Sequence, residues 1–460
     1  MTFIQKISIL CFTIHAIHSV THNQAIIIVP VADLVGAPIK SFKLAPTIKD
    51  SYKKIALCGG PSQPTAGCPR IFQILAHEIV DIISIRPAIN GDESEACIAV
   101  NSAFFVTHDS PAKQNLYWTL TKNLLSFTKL LKKNSSLDFI PATPDFKHKS
   151  SAQTVRVEGA KRMETSPLGS GGASIEANGG KNAVSQEIYC LNQSCTHNLA
   201  LIKPFYDPVT QQTFSAGTRF VYNPEFVSNT HYQVYVFDRK ITRFITTMLP
   251  KSSVLTIEPR TPEQAIQVFV AILKSWAHTK NGIICYVWGG ASYTYTCKDK
   301  ECKQISTKLA NQKKVKVYIR EDCNSIPLTG FDCAGMILRA AQICNIPYFF
   351  KNTYTLAQSL AQLKPDESLN AGDLIWIPGH VMVVSDIQNN LLIEARGYSH
   401  GFGKVQEMRL EKVFKGIKTY DELINAFFIQ KPLIRLDKSG KSVEEITYYK
   451  LLKLSSVWNF

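Results

Sequence analysis

The chain has 460 residues, 45% hydrophobic and 19% charged, which excludes a disordered polymer and describes a globular protein too long for one ordinary core. A net charge of +15 and a pI near 9.2 point to acidic partners: nucleic acid, an anionic membrane surface or an anionic wall polymer. No Lys/Arg run is dense enough to select nucleic acid, since Lys129, Lys132 and Lys133 form only a loose cluster, and a solvated basic face accounts for them equally well.

Residues 1–19 read as a secretory signal. Lys6 supplies the positive start, and the apolar run 7–17 is too short to span a bilayer. The mature chain is expected to be exported, to the periplasm or outside the cell. Its cysteine content fits an oxidising compartment. Cys58 with Cys68, Cys190 with Cys195, and Cys297 with Cys302 are close in sequence, and local disulfides are the default there. A thiolate metal site of Cys297, Cys302 and Cys323 is the rival, but no fourth ligand stands at a zinc-finger spacing.

Residues 25–140 carry short apolar runs at 25–39, 70–85 and 96–107, the first broken by Pro30 and Pro38, and suggest a small β-barrel. The stretch 115–131 reads as a helix. Residues 141–188 are rich in Ser, Gly, Asn and Lys, with too little apolar surface to offset ordering entropy, and read as a flexible linker or exposed loop. Alternating β-type sequence returns over 189–258, clearest at 216–221 and 232–236. A helix then starts at Thr261, with Pro262 at its first position and Gln264 completing a capping box. Ile266, Phe269, Val270, Leu273 and Trp276 form its apolar face. An aromatic-glycine strand follows, Tyr286-Val287-Trp288-Gly289-Gly290. Residues 291–328 are polar and lysine-rich and read as an insertion stapled by Cys297 and Cys302.

Gly330-Phe331-Asp332-Cys333-Ala334-Gly335 places a cysteine directly ahead of an apolar helical run. Unpaired backbone N–H groups and the helix dipole there favour a thiolate, lowering the ordinary thiol pKa of about 8.5. Taken singly, Cys333 reads equally as a buried packing residue. Strands at 374–377, 380–385 and 391–395 follow, and the last two form a hairpin that sets His380 roughly opposite Glu394. A cysteine nucleophile needs a base, and the base needs an orienting group. A glutamate amid Leu391-Leu392-Ile393 and Ala395 is unusual on an apolar strand, although a solvent-facing Glu on an alternating strand would look the same. His400 is the rival third member.

Four motifs together, Tyr286-Val287-Trp288-Gly289-Gly290, Gly330 to Gly335, Ala371-Gly372-Asp373-Leu374 and Gly379-His380-Val381, resemble the NlpC/P60 cell-wall peptidases, in that family's order. Val31-Ala32-Asp33-Leu34 with Ile74-Leu75-Ala76-His77-Glu78-Ile79-Val80 resembles the opening of a bacterial SH3 domain, with His77 where a glycine usually precedes the Glu. Ala216-Gly217-Thr218-Arg219-Phe220-Val221 resembles a second such domain. The resemblance implies an α+β protein: a papain-like catalytic domain at 259–436, helices packed on an antiparallel sheet, preceded by two small SH3-like β-barrels at 25–140 and 189–258. A tail over 437–460 completes the chain.

The resembled enzymes cut peptidoglycan stem peptides between D-Glu and a diamino acid and need no metal or cofactor. Carried over by position, the resemblance implies Cys333 as nucleophile, His380 as base and Glu394 as the third residue, where the family more often has a histidine. Tyr286 matches the oxyanion-hole tyrosine, and the backbone N–H of Ala334 is the second expected donor, Ala standing for the usual Ser. Trp288 is an expected substrate contact. Asp332 matches the residue that binds the free amine of a terminal L-Ala, although N-capping alone would explain it. Tyr117 is a further candidate contact from the first SH3-like domain. The expected partner is peptidoglycan or a muropeptide, not nucleic acid. The alternatives are a CHAP-like amidase cutting the sugar–peptide bond, and a non-catalytic SH3-mediated wall-binding protein.

Overall fold

A computed structural model describes residues 23–60, 65, 67–89, 91–134, 137–146, 197–298, 303–308, 314–319 and 326–459. The signal at 1–19, nearly all of the 141–188 segment, and Cys190, Cys195, Cys302 and Cys323 lie outside the described residues. The described chain mixes helices with antiparallel sheets. No helix among these residues is long and apolar enough to cross a membrane.

The first module is a seven-stranded sheet in the spatial order Arg70–Leu75, Val31–Val35, Leu116–Leu120, Glu95–Ala99, Ile79–Arg86, Gln24–Ile27, Leu124–Ser126. The helix expected over 115–131 is mostly absent. Leu116–Leu120 is a strand, Tyr117 pairing with Ile98 and Trp118 with Cys97, and only Phe127–Leu131 is helical. Three consecutive aromatic and β-branched residues, Tyr117, Trp118 and Thr119, fit a pleated surface better than a helix. The sheet does not close. The outer edge of Arg70–Leu75 meets Ala291–Ser292 instead, where the Gln73 amide oxygen accepts from the Ala291 N–H at 3.3 Å and the Ser292 hydroxyl at 2.6 Å. The expected barrel is therefore an open sheet whose edge docks on the third module.

His77 has φ 68, a left-handed conformation that explains why glycine would be usual there. Its ring is buried among Phe214, Phe220 and Phe244 of the second module. That module pairs Asn198–Leu201 with Arg219–Val221 and Val254–Thr256, and adds two hairpins, Phe205–Asp207 with Gln212–Phe214 and His231–Asp238 with Arg243–Pro250. No closed barrel forms here either among the described residues.

The third module has the expected helix Pro262–Ala277, with Thr261 and Gln264 in a reciprocal capping box. Its five-stranded sheet runs Lys404–Arg409, Leu391–Arg396, His380–Asp386, Leu374–Ile377, Lys450–Leu452. The last strand corrects the reading of 437–460 as a tail. Leu452 pairs with Leu374, and Leu451 and Leu452 are fully buried, so this segment completes the sheet. Within the 291–328 insertion, Lys303–Lys308 and Lys314–Ile319 pair as a hairpin. Buried apolar side chains run without a break from Ile74 and Tyr117 through Ala200 and Ala216 to Phe331 and Met336, joining all three modules in one core.

Candidate active site

The aromatic-glycine motif and the cysteine motif are two halves of one backbone contact. The Asp332 N–H donates to the Gly290 carbonyl at 3.0 Å, and the Val287 N–H to Phe331 at 3.1 Å. A Cβ on Gly335 would lie 2.1 Å from the Gly290 oxygen, so only glycine permits this approach. Phe331 stacks on Trp276 with ring centroids 4.6 Å apart, tying the contact to the Pro262–Ala277 helix. The helix Cys333–Ile343 then starts where expected. Asp332 is its N-cap, the Oδ1 atom accepting from the Gly335 N–H at 2.6 Å.

The hairpin brings His380 to this helix end. Val383 pairs with Ile393, which places Glu394 diagonally across from His380 on one face. The His380 Nε2–H donates to Glu394 Oε2 at 2.8 Å. That bond fixes the tautomer and leaves Nδ1 as the basic nitrogen. The histidine strand packs on the cysteine helix, and the Val381 N–H, one residue beyond His380, is hydrogen-bonded to the Cys333 sulfur. Cys333, His380 and Glu394 therefore belong to one buried constellation. The partner that His380 Nε2 meets is Glu394 rather than His400, whose Nδ1 lies 3.4 Å from Arg396 Nη2.

Glu394 is fully buried and held on several sides. Arg435 Nη2 donates to Oε2 at 2.9 Å, Gln406 Nε2 donates to Oε1 at 3.1 Å, and Arg396 Nη1 lies 3.8 Å from Oε1. Burial pushes its carboxyl up, but the His380 hydrogen bond and the Arg435, His380 and Arg396 charges outweigh it, bringing the pKa to about 2. Arg435 and Gln406 were not anticipated from the sequence. The available signal was a charge within the apolar Leu433–Leu436 strand, the same anomaly that Glu394 shows on its own strand.

Burial works against the thiolate that the helix N-terminus favours. Burial first, and then the Asp332 charge, push the Cys333 thiol up to about 12, against the lowering effect of the Val381 and Ala334 amides. Burial and the Arg435 charge bring His380 from 6.5 down to about 4, against the pull of Glu394. Both shifts favour the neutral thiol and the neutral imidazole, because desolvation penalises the charged forms. His77 is depressed to about 4 as well, by burial. A histidine with a depressed folded pKa contributes stability that is complete above 6.5 and lost as pH falls toward 4, since only the unfolded chain takes up the proton. Each of the two adds a slope of up to about 1.4 kcal/mol per pH unit in that window. Urea midpoints are therefore expected to be clearly lower at about pH 5 than at about pH 7.5. Equal midpoints would contradict the buried neutral assignment.

The remaining expected residues fall as follows. Tyr286 is buried, and the charges of Cys333 and Asp332 add to burial in raising its phenol pKa, so it is a protonated donor beside the nucleophile. Trp288 is 47% exposed at the cleft rim, its N–H donating to Gly59 at 2.7 Å. The Ala334 N–H, the expected second oxyanion donor, lies in the first turn of the Cys333–Ile343 helix near the Asp332 carboxylate and the Cys333 sulfur. The Tyr117 hydroxyl is buried without a partner among the described residues. Cys58 and Cys68 are not disulfide-bonded: they are separate thiols sharing a hydrogen bond, with Arg70 alongside, which already closes their loop through the Cys58 carbonyl. Cys297 is disulfide-bonded. No cluster of His, Cys, Asp or Glu suited to a metal occurs among the described residues.

No protein-family model matches this chain, and no curated protein matches it. Ten chains of solved structures do. One is the crystal structure of an NlpC/P60 family protein from Bacillus cereus, with a TM-score of 0.43 and 13% identity over 87% of this chain and 96% of that one. Another is the peptidoglycan hydrolase RipB from Mycobacterium tuberculosis, with a TM-score of 0.20 and 22% identity over 32% of this chain and 60% of that one. The functional reading accordingly rests on the residues of the cleft.

Proposed function

We propose that this chain is an exported cysteine endopeptidase that cleaves the γ-D-Glu–diamino-acid bond of peptidoglycan stem peptides. The observation that carries the reading is the buried constellation at the cysteine helix: Cys333 at the N-terminus, the histidine strand at its sulfur, and His380 held in one tautomer by Glu394. In the first step the Cys333 sulfur attacks the γ-amide carbonyl carbon while its proton passes to His380 Nδ1. The developing oxyanion accepts from the Tyr286 hydroxyl and from the backbone N–H groups at the helix start, those of Ala334 and Cys333. The C–N bond then breaks as His380 returns the proton to the leaving amine, leaving a thioester. Water attacks the thioester, gives a proton to His380, and the C–S bond breaks to restore the thiol. Starting from a neutral pair, His380 acts as a true general base, and Glu394 stabilises the imidazolium as it forms.

Purified muropeptides incubated with the protein and analysed by mass spectrometry test this. Wild type is expected to release products cut between D-Glu and the diamino acid, and Cys333→Ala to release none above background. A folded wild type that cuts no stem peptide, or a Cys333→Ala variant as active as wild type, overturns the reading. Cleavage at the sugar–peptide amide would assign the amidase reaction instead.

A further inference from the structure

A cavity of about 660 Å³ opens where the three modules meet, and Tyr286, Trp288, Cys333 and His380 are not among its walls. Lys49 and Lys53 line it from the helix Ile48–Leu57, Lys122 from the turn Thr121–Asn123, and Arg239 from the turn joining His231–Asp238 to Arg243–Pro250. Residues 294–295 and 326, 327 and 329 of the third module add a further wall. No Asp or Glu lines the cavity. Lys122 is ion-paired with Glu93 at 2.8 Å, whereas Lys49, Lys53 and Arg239 make no ion pair among the described residues.

By itself that arrangement is unfavourable. Lys49 and Lys53 stand four residues apart on one helix face, where like charges repel and an acid at either position would relieve them. The helix N-terminus is not the attraction, because its amides are used: the Ile48 N–H donates to Asp92 at 2.6 Å and the Asp50 N–H to Thr47 at 3.0 Å. A concave wall focuses the field of unpaired cations. Cations from separate elements around one volume suit a compact anion of more than one charge, and a phosphate monoester carries nearly two. The rest of the lining suits a sugar rather than a bare ion. Val29, Leu120 and Ile326 supply apolar surface. The Thr294 and Thr329 hydroxyls share one hydrogen bond at 2.6 Å, which leaves one O–H to donate to a ligand. The volume is that of a small-molecule site, far more than a phosphate alone would fill.

We propose that this three-module cavity binds a phosphorylated sugar, with Lys49, Lys53 and Arg239 around the phosphate. It is a second ligand site, apart from the cysteine, and stands independently of the peptidase reading. A bilayer presents its phosphates on a plane, whereas these cations surround a recess, which favours a soluble sugar phosphate over a membrane surface.

The test is calorimetric titration of the full chain, at low ionic strength, with N-acetylglucosamine 1-phosphate, N-acetylglucosamine and inorganic phosphate. The sugar phosphate is expected to bind at least about tenfold more tightly than either of the others, since the neutral sugar leaves the cations unpaired and phosphate leaves the apolar wall uncovered. Lys53→Met and Arg239→Met should each weaken it by about fivefold or more, and the double variant should abolish it. Both residues are exposed, so these variants should keep the wild-type urea midpoint. Lys412→Met removes the same charge from an exposed position on the helix Leu410–Val413 and should leave binding unchanged. A wild type that does not bind the sugar phosphate, an equal affinity for the neutral sugar or for inorganic phosphate, or an equal loss in Lys412→Met overturns the proposal. Sedimentation with phosphatidylglycerol vesicles that needs Lys53 and Arg239, without binding of the sugar phosphate, would assign these cations to a membrane surface and overturn it as well.

Discussion

Glu394→Ala is expected to lower muropeptide hydrolysis by on the order of 10²- to 10⁴-fold and to destabilise the fold by about 3–5 kcal/mol. Both effects come from one carboxylate. Its Oε2 orients the His380 imidazole at 2.8 Å and also accepts from Arg435 at 2.9 Å. Without it, the buried Arg435 and Arg396 lose their nearest counter-charge, and Arg435 already depresses the His380 pKa. His380 would then face two cations when it takes the thiol proton, so the imidazolium formed during attack loses its partner. Glu394→Gln separates the effects. It keeps shape and a hydrogen-bond acceptor, so tautomer control survives in part, while the missing charge still penalises the imidazolium. We expect it to fold better than Glu394→Ala and to remain strongly impaired in kcat. Initial rates and urea midpoints measure the two quantities, and a folded Glu394→Gln with wild-type kcat would remove Glu394 from the mechanism.

Arg70→Ala is expected to cost about 3–5 kcal/mol, because it breaks a buried charge pair and strips several carbonyls of their donor. Arg70 is fully buried. Its Nε donates to Asp33 at 2.6 Å, Nη1 to the carbonyls of Cys58 at 2.6 Å and Trp288 at 3.2 Å, and Nη2 to those of Ile55 at 2.9 Å and Ala56 at 2.8 Å. Three of these carbonyls lie at the C-terminal end of the Ile48–Leu57 helix, where intrahelical donors run out. The fourth belongs to the cleft-rim tryptophan. The guanidinium thus joins the first module to the turn that carries the aromatic-glycine motif. A lysine ammonium could not reproduce this planar fork, so Arg70→Lys should recover little. Denaturant midpoints test this, and a midpoint within error of wild type for either variant would contradict it.

The legible part of the protein lay in local chemistry. Thr261, Pro262 and Gln264 announce the helix that packs beneath Phe331, because a capping box is satisfied within one turn. The glycines of the two motifs were visible as glycines, but not their reason, which is a contact between Gly290 and Gly335 that sequence does not place side by side. Sequence missed the strand Leu116–Leu120 because its neighbours in the sheet, Glu95–Ala99 and Val31–Val35, decide whether aromatic residues pleat or coil. It also missed the role of residues 450–452, since a short apolar run becomes a sheet strand only when an edge such as Leu374–Ile377 is there to pair with it.

By itself, the sequence determined the identity and order of the chemical groups: a cysteine at a helix start, a histidine and a glutamate on one hairpin, and an aromatic-glycine turn before them. Those features depend on neighbours within a few residues or on a two-strand register. The tertiary structure decided their ionisation. Burial and the Asp332 charge push the Cys333 thiol up, and the His380 hydrogen bond, Arg435 from a separate strand and Arg396 hold the Glu394 carboxyl down. It also set Lys351 against Asp332 and tied the Lys351 backbone to Phe104 of the first module. Desolvation and long-range charge depend on what surrounds a group in space, and no spacing along the chain encodes them.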